Sequence, residues 1–163
     1  MSFIKLSIAA LTATATAYQL VEQHSGSSFF DGFDFFADAD PTHGSVNYTS
    51  RLIAAPAKMI GVVLNDDGSA PSAYIGVDST TVTANRPSIR LTGKQSYNHA
   101  LVLADIKHMP SGCGVWPALW MTGPNWPSNG EIDIVEQVNG HDYNSNDPQF
   151  CQLYNYWHKQ RSI

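Results

Sequence analysis

The chain has 163 residues, of which 43% are hydrophobic and only 14% charged, with a net charge of −5. That length holds one domain with a real core, and the hydrophobic share excludes a disordered chain. The acidic balance argues against nucleic acid as a partner, whereas four Trp and seven Tyr on a weakly charged chain suit a neutral, polyhydroxylated ligand.

The first segment, "MSFIKLSIAALTATATA", combines one basic residue, an uncharged run from Leu6 and a small-residue ending at Ala15-Thr16-Ala17. This is the pattern of a secretory signal peptide over residues 1–17, and it predicts an extracellular protein. An ordinary N-terminal core helix is the alternative. The segment is too short to span a bilayer, so no membrane association is expected after its removal. "NYT" at Asn47 matches the N-glycan acceptor pattern.

Beyond residue 17 no helix-period stretch of useful length occurs. Short apolar runs follow one another in chain order: "KMIGVVL", "SAYIGV", "PSIRL", "ALVLADI", "VWPALWM" and "EIDIVEQV". Between them lie segments rich in Gly, Pro, Asn and Ser, such as "NDDGSAPS" and "GPNWPSNG". Strand-length runs with this punctuation predict an all-β sandwich. In "PSIRL", Ile89 and Leu91 share one face, leaving Ser88 and Arg90 on the other. In "VWPALWM", Trp116, Ala118 and Trp120 share a face opposite Val115, Leu119 and Met121. Both faces are apolar, which predicts a mid-sheet strand whose two Trp either belong to the core or line a cleft.

Two cysteines, Cys113 and Cys151, allow one intramolecular disulfide, which export would favour, or a buried thiol at Cys113. Two Cys without a CxxC give no support for a zinc site. Asp31, Asp34, Asp38 and Asp40 cluster in "DGFDFFADADPTHG", but the spacing does not fit an EF-hand, and a solvated acidic loop is the simpler reading. No metal and no cofactor is expected.

The last run, "GEIDIVEQVN", carries Glu131, Asp133 and Glu136 among Ile and Val. Carboxylates alternating with Ile commonly mark a strand with one solvated face. They also suit glycosidic bond cleavage, which needs one ionised carboxylate and one protonated carboxyl; a gap of roughly 5–5.5 Å between them implies retention and roughly 6.5–9.5 Å inversion. The spacing poses a difficulty. Glu131 and Asp133 share a face, but Glu136 is three further on and would point away in a regular strand. A β-bulge within Ile134-Val135 returns it to the common face. The charge of Asp133 would then oppose ionisation of a neighbouring Glu and help keep an acid protonated.

The stretch "HMPSGCGVWPALWMTGPNWPSNGEIDIVEQVN" resembles the catalytic core of glycoside hydrolase family 16, and more narrowly the fungal secreted endo-1,3(4)-β-glucanases, or laminarinases. The family pattern E-[ILV]-D-[ILV]-x-E is matched in full by residues 131–136, and "SFFDGFDFFADADPTHGSVNY" and "RPSIRL" are similar to the N-terminal half of those enzymes. The resemblance implies a jelly-roll β-sandwich of the concanavalin A-like type whose concave face holds a β-glucan, acting without a cofactor as a monomer. It makes Glu131 the nucleophile, Glu136 the general acid/base and Asp133 the assisting carboxylate. Trp116 and Trp120 take positions near the cleft, and Arg90 faces the same cleft as a substrate-binding residue.

The resemblance covers 18–140. The tail, 141–163, does not resemble the family's next strands, so the domain is expected to be incomplete on its C-terminal side. A catalytically silent glucan-binding or cell-wall protein on the same scaffold, and a cell-wall transglycosylase, are the alternatives to a hydrolase.

Overall fold

The computed structural model describes residues 18–139, 144–146 and 151–153; the expected signal segment lies outside the described residues. Ten short strands, one α-helical turn and one 3-10 segment make up the ordered elements among them. In chain order the strands are β1 (Phe33–Phe36), β2 (Val46–Tyr48), β3 (Ile60–Val63), β4 (Ser72–Ile75), β5 (Arg86–Ser88), β6 (Arg90–Gly93), β7 (Ala118–Thr122), β8 (Glu131–Glu136), β9 (Asn144–Asn146) and β10 (Cys151–Leu153). The helix α1 spans Arg51–Ala54 and the 3-10 segment Gly26–Gly32. All-β is therefore the class.

The strands pair two by two. β1 pairs antiparallel with β6, β3 with β4, β7 with β8 and β9 with β10, whereas β2 and β5 run parallel. The β3–β4 connection shows how the sequence builds a turn. Asp67 accepts the Ser69 amide at 2.9 Å, Ser72 donates its hydroxyl to Asn65 at 3.1 Å, and Gly68 takes the left-handed conformation at φ +74°.

Alternation along β1 and β6 separates a core face from an aromatic one. Phe35 stands opposite Leu91, and both pack with Ile89 against the buried cluster of Phe30, Ala54, Met59 and Ile60. Phe36 stands opposite Arg90 on the other face. The face assignment read from "PSIRL" is thus the observed one. α1 contributes Ala54 to this core and leaves Leu52 and Ile53 exposed.

Five of the six apolar runs contain strands. The sixth, "ALVLADI", does not: residues 100–105 form no ladder, and Leu101 and Leu103 are 60% and 85% exposed. Strand conformation is held by hydrogen bonds to a neighbour, and among the described residues this run has none. β7 likewise has a single partner, β8, among the described residues, where a mid-sheet position was expected.

Cys113 is exposed with a free thiol; the side chain of its expected partner, Cys151, lies outside the described residues. In the acidic loop, Asp31 pairs with Arg51 at 2.9 Å, while Asp40 accepts the Thr42 hydroxyl and the Thr42 and Gly44 amides. Hydrogen bonding, from the Thr42 hydroxyl first, lowers the Asp40 pKa. These two aspartates are used to shape the loop.

Candidate active site

The site is built on the β7–β8 hairpin. Its turn, 123–130, closes with the Gly123 amide donating to the Gly130 carbonyl at 3.1 Å. A Cβ on Gly123 would lie 2.7 Å from the Asn129 carbonyl oxygen, so only glycine admits this close approach.

The register of the hairpin answers the spacing of the three carboxylates. Thr122 stands opposite Glu131, Met121 opposite Ile132 and Trp120 opposite Asp133, but Leu119 stands opposite Val135 and Ala118 opposite Glu136. Ile134 is therefore the extra residue, and β8 carries a bulge between the partners of Leu119 and Trp120. Ala118, Trp120 and Thr122 alternate on one face of the regular strand β7, and directly opposed residues share a face. Glu131, Asp133 and Glu136 accordingly lie on that same face. The bulge falls within the dipeptide where the spacing placed it.

Each outer carboxylate is held by an indole. Trp126 Nε1–H donates to Glu131 Oε2 at 2.6 Å, and Trp116 Nε1–H donates to Glu136 Oε1 at 2.8 Å. Trp116 is 67% exposed, so it is no core residue; it is an aromatic surface fixed at the mouth of the site. Asp133, between the two glutamates, is 7% exposed. The opposing Trp120 meets Trp126 edge to face at 5.7 Å between centroids.

Arg90 belongs to the same assembly. Its guanidinium lies 4.8 Å from the Phe36 ring centroid, 5.1 Å from Trp120, 5.7 Å from Trp126 and 5.9 Å from Tyr48. A cation among four rings draws β1, β2, β6 and the hairpin turn together at one place; each such contact is worth about 0.5–2 kcal/mol depending on desolvation. Alternation puts Arg90 on the face opposite Ile89 and Leu91, and the family resemblance is what implies a cleft there. The aromatic enclosure is not legible in the sequence, because the rings come from segments far apart in the chain.

Two further side chains contact the carboxylate strand without being marked by strand periodicity. Trp126 lies in the hairpin turn, and a large aromatic in a Gly/Pro/Asn turn, where no core demands it, is the sequence signal that points to it. Asn144, placed in the tail, is 2% exposed, accepts the Glu136 amide at 2.6 Å and donates to the Ile134 carbonyl at 3.1 Å. Nothing in the local sequence marks it.

The opposite face of the hairpin is apolar. Leu119 and Val135 line a cavity of about 380 Å³ together with Val102 and Ile106. Among the described residues no group of three or more His, Cys, Asp or Glu side chains could hold a metal ion.

The chain resembles proteins of known family. A family profile described as the XgeA-like, catalytic GH16 domain matches residues 33–147, a span that includes the whole hairpin and Asn144. A probable glycosidase of Schizosaccharomyces pombe is 44% identical over 126 residues, which cover 77% of this chain and 29% of that protein. An endo-1,3(4)-beta-glucanase of Emericella nidulans is 42% identical over 135 residues, 80% of this chain and 21% of that protein. The chain thus spans under a third of the length of these relatives. Among solved structures, an elongating GH family 16 beta-1,3-glucosyltransferase superposes with a TM-score of 0.65 at 45% identity, covering 75% of this chain and 41% of that one. Laminarinase 16A from Phanerochaete chrysosporium, with β-glucans in its donor and acceptor sites, superposes with a TM-score of 0.55 at 32% identity, over 74% of this chain and 40% of that one.

Proposed function

This chain belongs to glycoside hydrolase family 16, in its XgeA-like catalytic group and with the family's jelly-roll β-sandwich fold, and on that premise we propose that it cleaves internal β-1,3 or mixed β-1,3/1,4 glucosidic bonds with retention of configuration. The observation that carries the proposal is the bulge at Ile134, which puts three carboxylates on one strand face, the outer two each held by an indole.

In this reading Glu131, ionised, attacks the anomeric carbon, and a carboxylate–sugar bond forms as the glycosidic bond breaks. Glu136, protonated, gives its proton to the departing oxygen. Water then attacks the anomeric carbon, loses a proton to Glu136 and releases Glu131 as carboxylate. One water is consumed, and both groups return to their starting states. Asp133, buried between them, acts on their charge and proton positions. Trp116, Trp120 and Arg90 form the surface on which sugar rings rest, since indole faces stack on the apolar faces of pyranoses.

A second reading is glycosyl transfer to another sugar instead of water, the activity named for the beta-1,3-glucosyltransferase that is 45% identical over 75% of this chain. Both outcomes share the covalent intermediate and differ in what accepts it. Export is part of the proposal and rests on the pattern of residues 1–17; secreted material should begin at Tyr18.

The test compares Glu131→Gln and Glu136→Gln on laminarin and on a dinitrophenyl β-glucoside. Glu131→Gln should abolish turnover of both. Glu136→Gln should spare the first step on the dinitrophenyl substrate, whose leaving group needs no proton. Equal slowing of both substrates by both variants would refute the assigned roles. Product analysis at high laminarin separates hydrolysis from transfer.

A further inference from the structure

The bulge that makes the site leaves its own problem. An extra residue in one strand interrupts the ladder, and the backbone groups around it lose their regular partners. A buried amide or carbonyl left unpaired costs about 1–3 kcal/mol, so a bulge persists only where something else satisfies these groups. Here a side chain on the edge of β8 away from β7 satisfies the Ile134 carbonyl, and it also takes the Glu136 amide, which faces that edge because the Gln137 amide is the one that bonds back to Pro117. Asn144, buried to 2% exposure, donates Nδ2–H to the Ile134 carbonyl at 3.1 Å and accepts the Glu136 amide on Oδ1 at 2.6 Å.

The two backbone groups flank Val135, so the carboxamide of Asn144 brackets one residue as the backbone of a neighbouring strand would. Few side chains can do this. Asparagine carries a donor and an acceptor on one planar group. Asp lacks the donor, Ser and Thr are shorter, and Leu has neither group. The bracket joins the carbonyl of the bulged residue itself to the amide of the glutamate that the bulge re-aims.

We propose that Asn144 is a positioning residue for Glu136: by bracketing Val135 it holds the Ile134 bulge, and through it the direction of the Glu136 carboxyl toward the Glu131 face. The inference rests on the two-carboxylate reading above for its kinetic consequence, but not for its structural one. In this scheme Asn144 acts on Glu136 through the backbone of β8. Misplacement of a catalytic group by about 1 Å costs roughly a hundredfold in rate, which sets the scale of the expected loss.

The test uses the full chain, wild type beside Asn144→Ala and Asn144→Asp, with Glu131→Gln as the control. The first readout is amide hydrogen exchange at Glu136. In Asn144→Ala it should accelerate by about tenfold or more, while amides of β7 keep their rates. Asn144→Asp, which retains an acceptor for that amide, should protect it better than Ala does. The second readout is the dinitrophenyl β-glucoside. Asn144→Ala should keep the burst of dinitrophenolate, turn over roughly 10–100-fold more slowly, and recover when azide replaces water as the acceptor, because azide needs no base.

Unchanged exchange at Glu136 overturns the bracket. Burst and turnover falling together, with no azide recovery, overturns the positioning role and leaves a general loss of structure. If Glu131→Gln retains the burst, the carboxylate assignment is what has failed, and the exchange result still decides the bracket.

Discussion

Trp126 donates its indole N–H to the Glu131 carboxylate at 2.6 Å from within a turn, while its ring meets Trp120 and lies 5.7 Å from the Arg90 guanidinium. One side chain thus joins the proposed nucleophile to the aromatic platform beside it. A hydrogen bond to a charged group contributes about 1.5–3 kcal/mol, and its direction fixes the carboxylate rotamer.

Trp126→Phe keeps a ring against Trp120 and removes the donor. It should lower kcat/KM on laminarin by roughly 10–100-fold, mainly in kcat, with thermal stability close to wild type. An unchanged kcat would mean that the indole N–H does not orient Glu131.

Exchanging Val135 and Glu136 tests the shared face directly. In the Val135→Glu/Glu136→Val double variant the carboxyl stands opposite Leu119, on the apolar face of the hairpin. Activity should fall by the roughly 10²–10⁴-fold that general acid/base catalysis contributes. Far-ultraviolet circular dichroism should retain the strand signal. A double variant that still cleaves laminarin at the wild-type rate would show that this carboxyl need not share a face with Glu131.

Asp78 contributes to the acid limb of stability from outside the site. Hydrogen bonding from Thr81 and Thr80 lowers the Asp78 pKa from its ordinary 3.8 to about 2. Because the folded value is the depressed one, this carboxylate stabilises the 78–81 loop at pH above 3.8, and the contribution is lost as pH falls through 2. A carboxyl-carbon titration should place Asp78 near 2, and Asp78→Asn should remove the dependence in that window. A midpoint near 3.8 would show that the loop hydrogen bonds are not formed in solution.

Much of the site was written in local spacing. The interval from Asp133 to Glu136 is odd, and with period-two strands an odd interval on a shared face requires one extra residue, which the structure identifies as Ile134. The same periodicity separates Ile89 and Leu91 from Arg90, and the structure makes the first face the core side and puts Arg90 beside Trp120. These conclusions needed no knowledge of neighbours, because alternation is a property of a single strand.

What only the tertiary structure decided is which groups meet across the chain. That the Leu101–Ala104 run forms no ladder among the described residues depends on partners, not on its own apolar pattern. That Arg90 sits among Phe36, Tyr48, Trp120 and Trp126 depends on four segments arriving together. And Asn144, eight residues beyond Glu136, is tied to the bulge by two hydrogen bonds whose geometry exists only when the chain folds back along β8. Periodicity is encoded residue by residue, but the satisfaction of buried polar groups is settled by the packing of the whole.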